Sequence, residues 1–148
     1  MQRLGRHLFV ELFDFAPEVL NDLEAVRTVL LAAARRAQAT IVGGAFQQFS
    51  RSGLSGVVVM SDSLLSIHAW YEHRYAAADL FSRGEALWAD VAIEAVIAAL
   101  GARRVSVLAV QRGIFPTSLA IGAAAAARSV SAAFEPGSAT GQQPAVLG

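Results

Sequence analysis

The alternation of apolar and polar residues predicts six strands along the chain. Residues 7–14, HLFVELFD, alternate loosely and favour extended structure. Four short runs of the same type lie between residues 40 and 82, separated by the turn-type sequences RSG, SDS and YEHR. The last run, RRVSVLAVQRG, covers 103–113. Short strands joined by tight turns are typical of an antiparallel meander.

A helical period is found in two segments. The first predicts a helix over about 21–37, with Asn21 and Glu24 at the spacing of a capping box. Its apolar stripe consists of Val26, Val29, Leu30, Ala33 and Ala34. The second segment follows Gly84 and ends at Gly101, a natural helix stop. This order of elements predicts an α+β fold, a two-layer α/β sandwich with helices packed on one face of a mainly antiparallel sheet.

Length and composition favour one compact domain. Of the 148 residues, 55% are apolar and 16% are charged. Twelve basic residues balance twelve acidic ones, so we expect neither nucleic acid nor a membrane as a partner. We also expect a cytoplasmic protein, because neither a secretion leader nor an apolar run of about eighteen residues is apparent.

The domain is expected to cover residues 1–113. Residues 114–148 form an extension rich in alanine, glycine and serine, and too few apolar residues remain in its last part to order it. The chain contains no cysteine, which excludes disulfide bonds, thiolate metal sites and a cysteine nucleophile. No metal site is expected, since His68 and His73 would face opposite sides of one strand.

The segment SDSLLSIHAWYE at 61–72 concentrates the candidate chemistry. In an extended strand, alternation places a hydroxyl, an imidazole, an aromatic ring and a carboxylate on one face. These residues are Ser66, His68, Trp70 and Glu72, and the opposite face consists of Leu65, Ile67 and Ala69. The polar face is either a solvent-facing surface or a reactive site, and the pattern alone leaves both open. Taken locally, Ser63 behind Asp62 is explained by ordinary turn chemistry.

Three segments resemble the prokaryotic S-adenosylmethionine decarboxylases. They are LGRHLFVELFDF at 4–15, AFQQFSRSGLSGVVVMSDSLLSIHAWYE at 45–72 and AAADLFSRG at 76–84. The family motif around the self-processing serine has the form ESHLSIHTWPE, and this chain reads DSLLSIHAWYE from Asp62 to Glu72. The resemblance covers roughly the first 113 residues. It implies a pyruvoyl-dependent decarboxylase of polyamine synthesis that forms a homodimer of processed protomers.

The resemblance implies that Ser63 is the nucleophile of self-cleavage and that the cut falls between Asp62 and Ser63. The serine then becomes a covalent pyruvoyl group, which forms a Schiff base with the substrate amine and withdraws electrons as carbon dioxide leaves. By the same resemblance, His68 is the processing base and Ser55 assists processing. No metal is required.

The resemblance also implies a substrate pocket. Phe49 and Trp70 match positions that stack on adenine, and Glu72 matches the carboxylate that binds the ribose hydroxyls. The alternative is that both aromatic side chains simply belong to the core.

Position 83 departs from the family pattern with a chemical consequence. The family has FTCG, whose cysteine donates a proton to the decarboxylated carbon, whereas this chain has FSRG with Arg83. Arginine stays charged and cannot act as that acid. The other candidate donors are His68, Tyr71, Tyr75 and water. Three functions stay open: a decarboxylase of S-adenosylmethionine, a decarboxylase of L-ornithine or L-arginine, and a non-catalytic paralogue that acts as a partner subunit.

Overall fold

The protein forms a six-stranded antiparallel sheet, described here by a computed structural model for residues 3–49, 53–83 and 87–115. The strands are β1 (Gly5–Phe13), β2 (Ile41–Phe49), β3 (Gly53–Met60), β4 (Ser63–Trp70), β5 (Tyr75–Arg83) and β6 (Arg104–Arg112). The helices are α1 (Pro17–Leu20), α2 (Leu23–Arg36) and α3 (Leu87–Leu100), and a 3₁₀ helix covers Tyr71–His73. The predicted α+β sandwich is confirmed.

The strand order in the sheet is β2-β3-β4-β5-β1-β6, and every neighbouring pair is antiparallel. Strands β2 to β5 follow one another as the predicted meander, whereas β1 lies between β5 and β6. Leu8 therefore has Leu80 on one side and Ala109 on the other. This insertion joins the beginning of the chain to residues that are far away in sequence.

The core lies between the sheet and its helices. Alternate strand residues are almost completely buried, and Leu8, Val10 and Leu12 of β1 are at most 1% exposed. Helix α2 packs on α3, β2 and β3, while α3 also contacts β5 and β1. Because side chains alternate across a strand, the remaining strand positions form the second surface of the sheet.

No helix among the described residues covers this second surface, which we call the open face. Across β1, β3, β4 and β5 it consists of His7, Phe9, Glu11, Phe13, Ser55, Val57, Val59, Leu64, Ser66, His68, Trp70, Tyr75, Ala77, Asp79 and Phe81. Phe49 and Gly53 lie at one end of it. Most of these residues are half-buried by their neighbours within the sheet.

Helix α2 begins later than predicted and has a different cap. Helix α1, which the sequence pattern missed, precedes it, so α2 starts at Leu23. Its cap is Asp22, whose carboxylate accepts a hydrogen bond from the Ala25 backbone N–H. The predicted capping box of Asn21 and Glu24 is therefore wrong by one position.

The strand that carries His68 ends at Trp70. The next three residues form the 3₁₀ helix, so the alternation of β4 applies to Ser66, His68 and Trp70 but does not extend to Glu72. Glu72 is exposed on the 3₁₀ helix. Its predicted position on the same strand face is wrong, because the chain turns sharply there to begin β5.

The end of α3 agrees with the prediction, since Gly101 follows it with a positive φ of 67° that favours glycine. Residues 116–148 lie outside the described residues. The predicted lack of order in the last part of the extension and the predicted domain boundary at 113 therefore stay predictions. Within the described ranges, no helix has both the length and the apolar character needed to cross a membrane.

Candidate active site

The Asp62–Ser63 bond lies in a tight hairpin between β3 and β4. Strand β3 ends at Met60 and β4 begins at Ser63, so only Ser61 and Asp62 form the connection. The backbone N–H of Arg83, at the end of β5, donates a hydrogen bond to the Asp62 carbonyl oxygen at 2.9 Å. The neighbouring strand therefore holds the peptide group that precedes Ser63.

Ser63 is half-buried, and it pairs with Ser82 of β5. The Ser63 hydroxyl is 3.4 Å from the Ser82 hydroxyl. Ser82 is only 6% exposed, whereas Asp62 is an exposed residue. The serine that the motif identifies as the nucleophile is thus partly shielded from water, while the residue before it lies at the surface.

A cleft with a volume of about 360 Å³ adjoins this hairpin. Trp88 of α3, together with Met60 and Leu80, contributes apolar surface to it, and Ser63 and Arg83 line the same cleft. Its volume lies within the usual range of small-molecule sites. The position at which the family has its cysteine therefore borders the cavity beside Ser63.

Ser55 and His68 form a hydrogen-bonded pair on the open face. They lie directly opposite each other on β3 and β4, and the Ser55 Oγ is 2.8 Å from the His68 Nδ1. Both side chains are half-buried. The pairing leaves Nε2, the second ring nitrogen of His68, as the position at which the imidazole can exchange a proton with another group.

Ser63 and His68 do not meet within one chain. They are five residues apart on β4, which in an extended strand corresponds to about 16 Å between the Cα atoms. An odd separation also directs their side chains to opposite faces of the sheet. The structure therefore assembles two separate groups, a hairpin site around Ser63 and a Ser55–His68 pair on the open face.

Phe49 and Trp70 stand on either side of a glycine. Gly53 pairs with Phe49 across β2 and β3, and on its other side a Cβ atom placed on Gly53 would lie 3.6 Å from the Trp70 Cα. The two aromatic residues are therefore two strands apart, about 10 Å between backbones. The same Cβ atom would lie only 2.0 Å from the Ala69 carbonyl oxygen, so only glycine allows the β3 backbone to lie this close to β4.

Tyr75 and Glu11 were not predicted as partners. The Trp70 ring stacks on the Tyr75 ring at 5.4 Å, and the Tyr75 hydroxyl donates a hydrogen bond to the Glu11 carboxylate. Burial of Tyr75, followed by the hydrogen bond to Glu11, raises the pKa of the phenol well above its ordinary value near 10. Tyr75 is therefore neutral at physiological pH.

A second polar group on the open face centres on His7, which the sequence analysis also missed. Its Nε2 is 3.4 Å from an Asp79 carboxylate oxygen, and an Arg112 guanidinium nitrogen is 3.2 Å from its Nδ1. The imidazole stacks on Phe9 at 4.0 Å. Alternation in β1 places His7 and Glu11 on one face, but their partners come from β5 and β6, which sequence spacing cannot identify.

The described residues contain no group of three or more histidine, cysteine or acidic side chains that could hold a metal ion. The only buried polar residue among them is Ser82. The groups at the hairpin are hydroxyls, backbone amides, the guanidinium of Arg83 and the carboxylate of Asp62, which also lines the cleft.

Comparison with known proteins gives a consistent result. The family described as S-adenosylmethionine decarboxylase matches residues 6–113. A S-adenosylmethionine decarboxylase proenzyme of Thermodesulfovibrio yellowstonii is 42% identical over 114 residues, which is 77% of this chain and 84% of that protein. The proenzyme of Thermotoga maritima is 43% identical over 113 residues, 76% of this chain and 87% of that protein.

A solved structure supports the same relationship. The crystal structure of the adenosylmethionine decarboxylase from Aquifex aeolicus superposes with a TM-score of 0.74 at 28% identity, covering 80% of this chain and 98% of that one. The protein is therefore a pyruvoyl-dependent carboxy-lyase by class, with a cofactor made from its own chain. The chain belongs to the S-adenosylmethionine decarboxylase family.

The residues at the hairpin fit a pyruvoyl group. Formation of that group requires a serine preceded by a carbonyl that can be attacked, and Ser63 follows the fixed carbonyl of Asp62. The adjoining cleft has room for a small molecule next to Ser63.

Proposed function

We propose that the chain cleaves itself between Asp62 and Ser63 and then decarboxylates S-adenosylmethionine, giving decarboxylated S-adenosylmethionine and carbon dioxide. The observation that carries this proposal is the hairpin. The motif serine, Ser63, is half-buried at its end, beside a cleft and next to a carbonyl that the Arg83 N–H holds. Attack of a hydroxyl on the preceding carbonyl needs these groups in a fixed relative position.

Processing also requires a group that moves protons, and His68 with Ser55 is our candidate. The same chain's His68 lies about 16 Å from its Ser63, so we assign it to the Ser63 of a second protomer. A homodimer in which the open face of one protomer lies against the hairpin of the other explains how both groups take part. The half-buried aromatic and polar side chains of the open face support such an interface.

We assign the gap between Phe49 and Trp70 to the adenine ring. The two aromatic residues are two strands apart, and Gly53 on the strand between them has no side chain, which suits insertion of a flat aromatic base. Glu72 is exposed two residues beyond Trp70, where its carboxylate can accept hydrogen bonds from ribose hydroxyls. These roles require the gap to face the cleft of a neighbouring Ser63, which again depends on the homodimer.

The pyruvoyl group, once formed, withdraws the electron pair that the departing carbon dioxide leaves behind. The chain must then return a proton to the substrate carbon. Arg83 cannot donate it. Tyr75 is seven residues along β5 from Ser82, about 23 Å away, so it does not reach the Ser63 of its own chain. The second protomer's His68 is the donor that our arrangement favours.

A second candidate function is decarboxylation of L-ornithine or L-arginine. The observation in its favour is the loss of the family's cysteine proton donor at position 83, in the lining of the cleft; the Arg83 guanidinium would repel either cationic substrate and does not choose between them. Glu72 would then pair with the distal cationic group of the amino acid. The third candidate is a non-catalytic paralogue that acts as a partner subunit, and the same replacement favours it.

Two measurements separate the three functions. Intact mass of the purified protein is expected to show chains of 62 and 86 residues, and a single chain of 148 residues under all conditions would support the non-catalytic paralogue. The cleaved protein is then incubated separately with S-adenosylmethionine, ornithine, arginine and lysine, and carbon dioxide release is followed. Release from S-adenosylmethionine alone is expected, whereas release only from an amino acid would replace the adenine assignment of Phe49 and Trp70.

A further inference from the structure

Two consecutive residues of β5 contact the two groups that would react during self-cleavage. Ser82 contacts the hydroxyl of Ser63, and the backbone N–H of Arg83 contacts the carbonyl of Asp62. Neither contact was expected from the sequence, in which position 83 mattered only for its side chain. Both contacts come from the same chain as Ser63, in contrast to His68.

The hydrogen-bond directions around Ser82 are consistent with an acceptor role towards Ser63. The Ser82 hydroxyl donates to the Arg83 carbonyl at 3.5 Å and accepts from the Ser63 hydroxyl at 3.4 Å. Both O···O distances exceed the usual range of about 2.5–3.0 Å for an O–H···O hydrogen bond, and they must shorten before Ser82 can orient the attacking hydroxyl. Ser82 is also the only buried polar residue in the described part of the chain. A hydroxyl is rarely buried at such a position unless it has partners.

The Arg83 N–H lies where negative charge would develop. When the Ser63 hydroxyl adds to the Asp62 carbonyl, the carbonyl oxygen becomes an oxyanion, and a backbone N–H at 2.9 Å is already directed at that oxygen. This donor belongs to the backbone and does not depend on which side chain occupies position 83. Replacement of the family's cysteine by arginine therefore leaves it in place.

We propose that Ser82 and the Arg83 backbone N–H promote the first step of self-cleavage within one chain, Ser82 by orienting the Ser63 hydroxyl and Arg83 by stabilising the oxyanion. In that step a bond forms between the Ser63 Oγ and the Asp62 carbonyl carbon, and the bond from that carbon to the Ser63 nitrogen breaks. The hydroxyl proton ends on the freed nitrogen, so the peptide becomes an ester without any co-reactant. The proposal rests on the proposed function and assigns its first step.

This assignment divides the processing between two sites. The Ser82–Arg83 pair acts on ester formation in its own chain, and the Ser55–His68 pair of the second protomer acts on the later elimination. Substitutions in the Ser82–Arg83 pair and substitutions in the Ser55–His68 pair are therefore expected to stop processing at different chemical stages. Neutral hydroxylamine distinguishes these stages, because it cleaves an ester between residues 62 and 63 but leaves the peptide intact.

The first test compares Ser82→Ala, Ser82→Thr and His68→Ala by pulse-labelled cell-free synthesis of the full chain. Ser82→Ala is expected to slow the loss of the 148-residue chain by about five- to tenfold, the effect of one neutral hydrogen bond. The accumulated chain should resist hydroxylamine. Ser82→Thr keeps the hydroxyl and should restore the rate, whereas the His68→Ala chain should accumulate in a form that hydroxylamine cleaves.

The second test removes only the N–H at position 83. Nonsense suppression introduces an α-hydroxy acid there, which replaces the N–H by an ester oxygen, and the amino acid with the same side chain is the matched control. Loss of an oxyanion donor is expected to slow cleavage by on the order of 10²-fold.

The outcomes are separable from failure of the proposed function. If the unchanged protein does not cleave at all, self-cleavage itself is refuted. If it cleaves and Ser82→Ala cleaves equally fast, or accumulates a hydroxylamine-sensitive chain, Ser82 has no part in ester formation. Normal cleavage of the α-hydroxy acid variant would likewise remove Arg83 from the first step. Circular dichroism of each variant confirms that the fold is retained.

Discussion

Ser63 and His68 lie on the same strand, yet they face opposite sides of the sheet at a separation of about 16 Å. A nucleophile and a base that share one active site cannot occupy these positions within one chain, because proton transfer needs hydrogen-bond distance. If both residues take part in processing, each site must combine residues of two protomers. Dimerisation then becomes a requirement for making the cofactor.

Co-expression of two inactive chains tests this arrangement. Alone, Ser63→Ala lacks the nucleophile and His68→Ala lacks the base, so neither is expected to be cleaved at a normal rate. The two chains are tagged differently and purified as a heterodimer. In it, the Ser63→Ala chain supplies His68 to the intact Ser63 of the His68→Ala chain. In this heterodimer, we expect only the His68→Ala chain to be cleaved and the Ser63→Ala chain to stay intact, as measured by intact mass.

The control for that experiment is a dimer of two differently tagged His68→Ala chains, which should stay about 10²- to 10⁴-fold slower. A heterodimer that remains uncleaved would mean that His68 does not act across the interface.

Ser63→Ala is expected to abolish decarboxylation as well as cleavage, because the pyruvoyl group has no other source. Ser66→Ala is the matched control, since Ser66 is also a half-buried serine of β4 but faces the open side. We expect it to cleave normally. The measurement is carbon dioxide release alongside intact mass, and activity in a homogeneous Ser63→Ala preparation would contradict the pyruvoyl mechanism.

Gly53→Ala tests the close approach of β3 and β4 at the proposed adenine gap. Its Cβ would lie 2.0 Å from the Ala69 carbonyl oxygen, so the strands must move apart, at a cost of about 1–3 kcal/mol in the free energy of unfolding. Gly43→Ala is the control, because its Cβ has no neighbour within 4 Å, and it should change stability by less than about 0.5 kcal/mol.

Urea unfolding in the uncleavable Ser63→Ala chain measures both effects without a break in the chain. Equal stability of the two glycine variants would show that β3 can relax around residue 53. A lower affinity of Gly53→Ala for S-adenosylmethionine, beyond its loss of stability, would support the gap as the adenine site.

Arg83→Cys tests the substrate. Residue 83 lines the cleft beside Ser63, so a cysteine there should regain a proton donor for the substrate carbon. We expect turnover of S-adenosylmethionine to rise, but by less than the roughly 10²-fold or more that a sole general acid typically contributes, because the second protomer's His68 already serves as a donor. Arg83→Ala controls for removal of the guanidinium alone. A rise of the same size in both variants would mean that the arginine blocks the pocket and that the thiol is not needed.

The Tyr75–Glu11 contact predicts a loss of stability at alkaline pH. Because the phenol pKa is raised in the folded protein, the unfolded chain releases its proton first, at a pH of about 10. The contribution of Tyr75 to the free energy of unfolding is therefore fully present below pH 10. It declines as the pH rises from there towards the higher folded-state pKa. Tyr75→Phe should show a smaller decline than the parent chain in urea titrations between pH 8 and 11.

Glu11→Gln refines this prediction. It removes the carboxylate but leaves the burial of Tyr75, which is the larger cause of the raised pKa. The decline should therefore lie between those of the parent chain and Tyr75→Phe. Identical pH profiles for all three chains would show that Tyr75 does not contribute to the alkaline response.

Local patterns in the sequence are sufficient to predict the helices and strands and to identify the motif around Ser63. Alternation and helical period depend only on residues within one segment, so the strands, the two long helices and the buried face of β4 with Leu65, Ile67 and Ala69 were predictable. The resemblance around Ser63 is also contained in one continuous run. The errors, at the cap of α2 and at Glu72, occur where a short helix interrupts the pattern.

The arrangement of the site was decided by the tertiary structure. Insertion of β1 between β5 and β6 brings Glu11 to Tyr75 and His7 to Asp79 and Arg112, pairs whose members are 64 to 105 residues apart. The register of β4 on β5 determines that Ser82 and Arg83 meet the cleavage junction. Strand order and register follow from how whole elements bury their apolar faces together, and no segment of sequence specifies them alone.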